Sequence, residues 1–139
     1  NEFAFGRTKI LIDCDLDWLK QAQMFDVDAL FISHAHSDHA AGLKKGAPCP
    51  VYATQESWEI MANYKIDERI IIKPQQPVTI GAITVEAFAV EHSFNAPAVG
   101  FRINAGKHTV FYVPDLAKIV HPKKALSGID LYIGDGAII

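Results

Sequence analysis

The stretch His34-Ala-His36-Ser-Asp38-His39 places three imidazoles and a carboxylate within six residues. A cluster of this kind is unfavourable in an apolar core, whereas neutral imidazole and carboxylate are ordinary zinc ligands. It follows directly after the apolar run over residues 28–33, which is typical of a buried strand. A solvated, histidine-rich turn is the alternative. The interrupted spacing of the histidines favours a metal site over that alternative.

Length and composition predict one globular domain, residues 1–139, with a substantial core. The chain has 139 residues, of which 50% are hydrophobic, and its formal net charge of −3 argues against binding nucleic acid through a broadly basic surface. No apolar run is long enough to span a membrane, and no signal-peptide pattern opens the chain. Cys14 and Cys49 form no framework, so a reducing, cytoplasmic compartment is expected. The sequence begins at Asn1 and ends in an apolar run, and this predicts a fragment or a processed chain.

The pattern of apolar runs predicts an α/β domain that is rich in strands. A hairpin is expected at the start, and from about residue 69 the pattern predicts mainly strands. The predicted strands are residues 3–5, 9–12, 30–32, 50–53, 69–72, 78–80, 83–90, 98–103, 109–113 and 129–133. The predicted helix starts are Asp15 or Asp17, Ser37 or Asp38, Thr54, and Pro122. The second of these helices is expected to end at Gly42 or Gly46.

Two further ligand candidates, His92 and Asp115, follow apolar strands as His34 does. A histidine in such a place can instead be a hydrogen-bonded strand-end residue, and Asp115 after a proline can be a turn or a helix cap. Ligand sites of layered α/β proteins lie at strand ends. We therefore expect the three strand ends to converge on one metal site.

Together with Asp13 at the end of the first buried strand, these residues resemble the metallo-β-lactamase superfamily of metallohydrolases. The likeness is greater to its phosphodiesterase-like branch than to its antibiotic-degrading enzymes, and it extends from about Lys9 to the C-terminus. It implies an αββα sandwich. Family members supply one more histidine well beyond Asp115, and no histidine follows His121 here. The sandwich is therefore expected to be incomplete at its C-terminal end.

The resemblance also implies a role for each matching residue. It assigns two metal ions, normally zinc with manganese or iron as alternatives, and makes Asp38 the residue that orients the nucleophile. Asp13 would be a buried orienting residue outside the metal shell. The implied ligands are His34, His36 and His92 for the first metal, Asp38 and His39 for the second, and Asp115 as the bridge.

The chemistry of such a centre predicts a hydrolase. Two divalent ions about 3.5–4 Å apart lower the pKa of a shared water, and their positive charge favours an anionic substrate. We expect phosphodiester hydrolysis by a zinc-activated hydroxide, on small anionic or nucleotide-type molecules or on nucleic-acid ends, with no membrane partner. Hydrolysis of thioesters, lactones or β-lactams on the same metal core stays open.

A catalytically incomplete metal-binding module is the alternative from another class. It would need its missing C-terminal half or a second copy of the chain, because an open apolar strand edge favours pairing. A redox di-iron role within the same superfamily also stays open.

Overall fold

The structure of the chain, a computed structural model, describes residues 2–22, 25–35, 40–91, 98–113 and 118–134. It divides into two compact units, residues 1–72 and residues 73–139. Each unit is built on its own β-sheet. The single-domain organisation expected for residues 1–139 stays a prediction.

The sheet of the first unit has five strands in sequence order, β1-β2-β3-β4-β5. The first two form the expected antiparallel hairpin, with Gly6 at a φ of 60° in its turn, where glycine carries no steric penalty. The remaining pairings are parallel, so β2 to β5 all end at one edge of the sheet. The strands are β1 (Glu2–Phe5), β2 (Thr8–Ile12), β3 (Ala29–Phe31), β4 (Val51–Ala53) and β5 (Arg69–Ile71).

Helices in the described part of this unit are short. Helix α1 (Gln55–Ile60) begins where expected, because the Thr54 hydroxyl accepts a hydrogen bond from Ser57 N at 3.3 Å. The helix predicted after Asp15 is a 3₁₀ turn over Leu16–Trp18, and Ala22 is again in 3₁₀ conformation. Asp15 Oδ1 accepts from the backbone N–H of Asp17 at 3.1 Å, which is an N-cap bond at the start of this turn.

A hydrophobic cluster covers one face of this sheet. Trp58 and Met61 of the α1 region are 7% and 0% exposed and belong to this cluster. The indole Nε1 of Trp58 donates to Ile70 O at 2.9 Å, and the Arg69 guanidinium lies 5.3 Å from the ring centroid. These contacts attach α1 to β5. The cluster also includes Cys14, Ala22, Leu30, Ile32, Ala35, Ala40, Leu43, Val51, Ala53 and Ile66.

The second unit is an antiparallel meander extended by one parallel strand. Its sheet order is β10-β7-β8-β9-β11, and β6 also pairs with β7. Because β7 and β9 run the same way and β11 is parallel to β9, all three end at one edge. The elements are β6 (Val78–Ile80), β7 (Ile83–Glu91), β8 (Ala98–Ala105), β9 (His108–Val113), β10 (Lys118–Ile119), α2 (Pro122–Leu126) and β11 (Leu131–Gly134).

The predicted strands of this unit and the helix opened by Pro122 are confirmed. Strand β10 was missed, because two residues carry no periodicity that a pattern could reveal. Helix α2 is held by Arg102, whose Nη1 donates to Ala125 O at 3.0 Å. Across the described residues, no helix has the length and apolarity required to cross a membrane.

Candidate metal centre

Asp13 is the residue at which the chain turns after the end of β2. Its backbone has a φ of 63°, a left-handed conformation that aspartate tolerates better than most residues. One carboxylate oxygen accepts from the Ser33 backbone N–H at 2.8 Å, and the other accepts from the Ser33 hydroxyl at 2.6 Å. The Asp13 N–H also donates to Phe31 O at 2.8 Å. The side chain thus fixes the chain just after β3.

His34 comes next after the residue that Asp13 holds. Its side chain is 2% exposed, which places an imidazole among the few buried polar groups of the described core. A buried imidazole in the first turn beyond a strand end is a suitable metal ligand, since neutral imidazole binds zinc through a ring nitrogen. The Asp13–Ser33 bonds restrict where that imidazole can lie, as outer groups do around metal ligands.

A second contact holds the chain on the far side of the predicted ligands. Gly42, within the 3₁₀ turn Ala41–Leu43, donates its backbone N–H to Cys14 O at 2.9 Å. A Cβ on Gly42 would collide with Asp15 O and would lie 2.6 Å from Cys14 Sγ. Asp13 and Cys14 therefore hold residues 33 and 42, which flank the stretch that begins at His34.

Of the two glycines expected to end this helix, the structure favours Gly46 over Gly42. Gly42 lies inside a helical turn and does not end one, while Gly46, at a φ of 129°, follows that turn. The importance of Gly42 was missed because only the tertiary structure shows the close approach to the backbone of Cys14 and Asp15. The signal in the sequence that could have indicated its role is a glycine three residues beyond His39, at a position where the apolar pattern does not call for glycine.

Cys14 is a buried residue, with 2% of its surface exposed. Burial, followed by the charges of Asp15 and Asp13, raises the pKa of its thiol to about 11. The group is therefore a protonated thiol near neutral pH. It packs against the turn that contains Gly42.

Of the predicted metal ligands, His34 lies among the described residues. Where the chain is described, no group of three or more His, Cys, Asp and Glu side chains is arranged to hold a metal ion. The strands that precede two of the predicted ligands are described: β7 ends at Glu91 and β9 at Val113, on the same edge of their sheet. The predicted ligands that lie outside the described residues are His36, Asp38, His39, His92 and Asp115.

Replacing Asp13 by alanine is expected to lower the free energy of unfolding by about 3 kcal/mol, since two hydrogen bonds to a charged acceptor are lost. Asp13→Asn is expected to lower it by less than half as much, because asparagine accepts left-handed backbone and retains one carbonyl acceptor. Urea unfolding measures both. The matched control is Asp67→Ala at an exposed site. An Asp13→Ala protein as stable as the Asp67→Ala protein would contradict the holding role.

Comparison with known proteins decides the family. A family model described as a beta-lactamase superfamily domain matches residues 8–139. The chain belongs to this family. The predicted resemblance to the metallo-β-lactamase superfamily, and its extent along the chain, are thereby confirmed.

Curated relatives of the chain include two nucleases by name. Exodeoxyribonuclease YycJ of Bacillus anthracis is 33% identical over 104 residues, which cover 64% of this chain and 39% of that protein. Ribonuclease Z of Methanopyrus kandleri is 31% identical over 137 residues, which cover 86% of this chain and 48% of that protein. The chain thus spans less than half of the length of either relative.

Solved structures agree on the fold. The metallo-beta-lactamase fold protein YhfI from Bacillus subtilis is 26% identical with a TM-score of 0.64, over 80% of this chain and 52% of that one. Zn²⁺-bound PqqB from Methylobacterium extorquens, 20% identical, has a TM-score of 0.72 over 98% of this chain and 59% of that one. The second likeness shows the fold alone. The metallo-β-lactamase-like fold class expected from the sequence is confirmed.

Proposed function

We propose that this chain carries the metal-binding half of a hydrolase that cleaves phosphodiester bonds in nucleic acid. The observation that carries the proposal is the pair of contacts from Asp13 and Cys14, which hold residues 33 and 42 on both sides of the His34–His39 stretch. The names of the curated relatives, an exodeoxyribonuclease and a ribonuclease Z, support nucleic acid as the substrate class.

The donor set of the stretch fits a metal site. His34 is buried and follows a residue whose position is fixed, and the stretch offers further imidazoles and a carboxylate. Bound divalent ions would supply a water of lowered pKa and positive charge beside the phosphate. Zinc is the proposed metal, with manganese and iron to be distinguished by metal analysis. The proposed ligands are His34, His36 and His92 for one ion, Asp38 and His39 for the other, and Asp115 between them.

The chain's own residues have separate roles in this proposal. Asp13 acts outside the metal shell by positioning His34, since its carboxylate accepts from both the N–H and the hydroxyl of Ser33. Asp38 accepts a hydrogen bond from the attacking water and so orients the nucleophile. Cys14 and Cys49 are free thiols, which suits the reducing cytoplasm proposed for this protein.

Metal dependence and substrate class test the function together. The intact protein, loaded with zinc or manganese, is expected to hydrolyse bis-(p-nitrophenyl) phosphate and single-stranded oligonucleotides. Chelation should abolish both activities, and either metal should restore them. Release of p-nitrophenol and of labelled nucleotide is measured against a thioester and a lactone as matched substrates. A metal-loaded protein that cleaves the thioester or the lactone and neither phosphodiester would overturn the proposal.

A further inference from the structure

A cavity of about 330 Å³ lies in the first unit, where Asp13 and the chain between β2 and β3 meet the first hairpin. Small-molecule sites have volumes from about 300 Å³ upward, so the space is sufficient for one flat ring system with a substituent. The walls are both apolar and acidic. The lining of the cavity includes Glu2, Leu11, Asp13, Trp18, Phe25 and Asp26.

The indole of Trp18 lines this cavity and is unusually exposed. It is 48% exposed, although burying an aromatic ring of this size is strongly favourable. Phe25 contacts it edge-on, with ring centroids 5.7 Å apart and planes at 64°. That contact steadies the indole while much of its surface remains open to the solvent. A fixed, half-exposed indole beside a cavity is a stacking surface for a planar ligand.

The charges of the cavity select among planar ligands. Among the lining residues that the structure describes, Glu2, Asp13 and Asp26 are acidic, and none is basic. A phosphate group would be repelled there, whereas carboxylates accept hydrogen bonds from amino groups. A nucleobase with an exocyclic amino group meets both requirements. It is flat and uncharged, and it donates from its edge.

We propose that this cavity binds an amino-bearing nucleobase of the substrate, stacked against Trp18. The proposal rests on the proposed function, because it assigns a subsite for the base of the nucleic acid whose backbone is cleaved. The link between the two sites is Asp13, which lines the cavity and also holds Ser33, the residue before His34.

The two tryptophans of the chain provide the measurement. Trp18 is half exposed, whereas Trp58 is 7% exposed and its Nε1 is bonded to Ile70 O. Titration with cytidine or adenosine, which lack phosphate, is expected to quench the fluorescence saturably with metal chelated. Uridine, which has no amino group, should bind several-fold more weakly. Trp58→Phe is the matched control and should retain the quenching.

Binding of the same nucleosides to variants, followed by calorimetry, completes the test. Trp18→Ala should weaken cytidine binding by about tenfold, because the stacking contact with the base is lost, and Trp18→Phe should restore most of it. Asp26→Asn should reduce the preference for cytidine over uridine. Unchanged affinity in Trp18→Ala, or equal binding of a simple aliphatic amine, overturns the proposal. Because no metal or cleavage is involved, failure here is distinct from failure of the hydrolase proposal.

Discussion

Replacing His34 by alanine is expected to lower metal-dependent phosphodiester hydrolysis by on the order of 10³-fold, since metal ions contribute several kcal/mol to such reactions. His34 is the one proposed ligand among the described residues, and its imidazole is 2% exposed at the end of the β3 region. Removing it takes a nitrogen donor from the site. Hydrolysis of bis-(p-nitrophenyl) phosphate and the zinc content per chain measure the effect.

Two comparisons separate loss of the ligand from loss of the fold. His108→Ala removes an exposed imidazole at the start of β9 and should leave both activity and zinc content unchanged. His34→Gln fills most of the space that alanine leaves, so it should unfold at nearly the temperature of the parent while still losing zinc. A His34→Ala protein that retains its zinc and hydrolyses within about tenfold of the parent would remove His34 from the metal site.

Replacing Gly42 by alanine is expected to lower the free energy of unfolding by about 3 kcal/mol or more, in the range of severe overpacking. The added Cβ would meet Asp15 O, Cys14 O and Cys14 Sγ, and two of these three atoms belong to the backbone. Relief requires the turn over Ala41–Leu43 to move away from the end of β2. That movement would displace the chain just beyond His39, so zinc affinity should fall as well.

The chain contains matched glycines for this experiment. Gly6 and Gly128 have φ values of +60° and +67°, and a Cβ at either position has nothing within 4 Å. Their alanine variants should lose only about 1–2 kcal/mol, the cost of left-handed backbone for alanine. Urea unfolding and zinc titration of the three variants measure the difference. If Gly42→Ala is no less stable than Gly6→Ala, the close approach to Cys14 and Asp15 does not constrain the fold.

Local signals in the sequence were sufficient for the elements that they control. The Thr54 cap, the Pro122 helix start and the hairpin around Gly6 each depend on a few neighbouring residues, and all three were predicted correctly. The helix predicted after Asp15 begins at its predicted cap but is a 3₁₀ turn over Leu16–Trp18. The Asp15 carboxylate accepts from the N–H of Asp17 as an N-cap does, and the pattern of apolar residues does not predict how far the turn continues.

The sequence by itself determined the family, the metallo-β-lactamase-like fold class and the list of candidate ligands, because the spacing of His34, His36, Asp38 and His39 is itself a local property. The tertiary structure decided how that stretch is held. The Asp13 carboxylate reaches Ser33 across 20 residues, and Cys14 O meets Gly42 N. The cavity beside Trp18 also depends on the hairpin and the following turn together. Contacts between residues distant in sequence produce no periodic pattern in the sequence, so they are seen only in the tertiary structure.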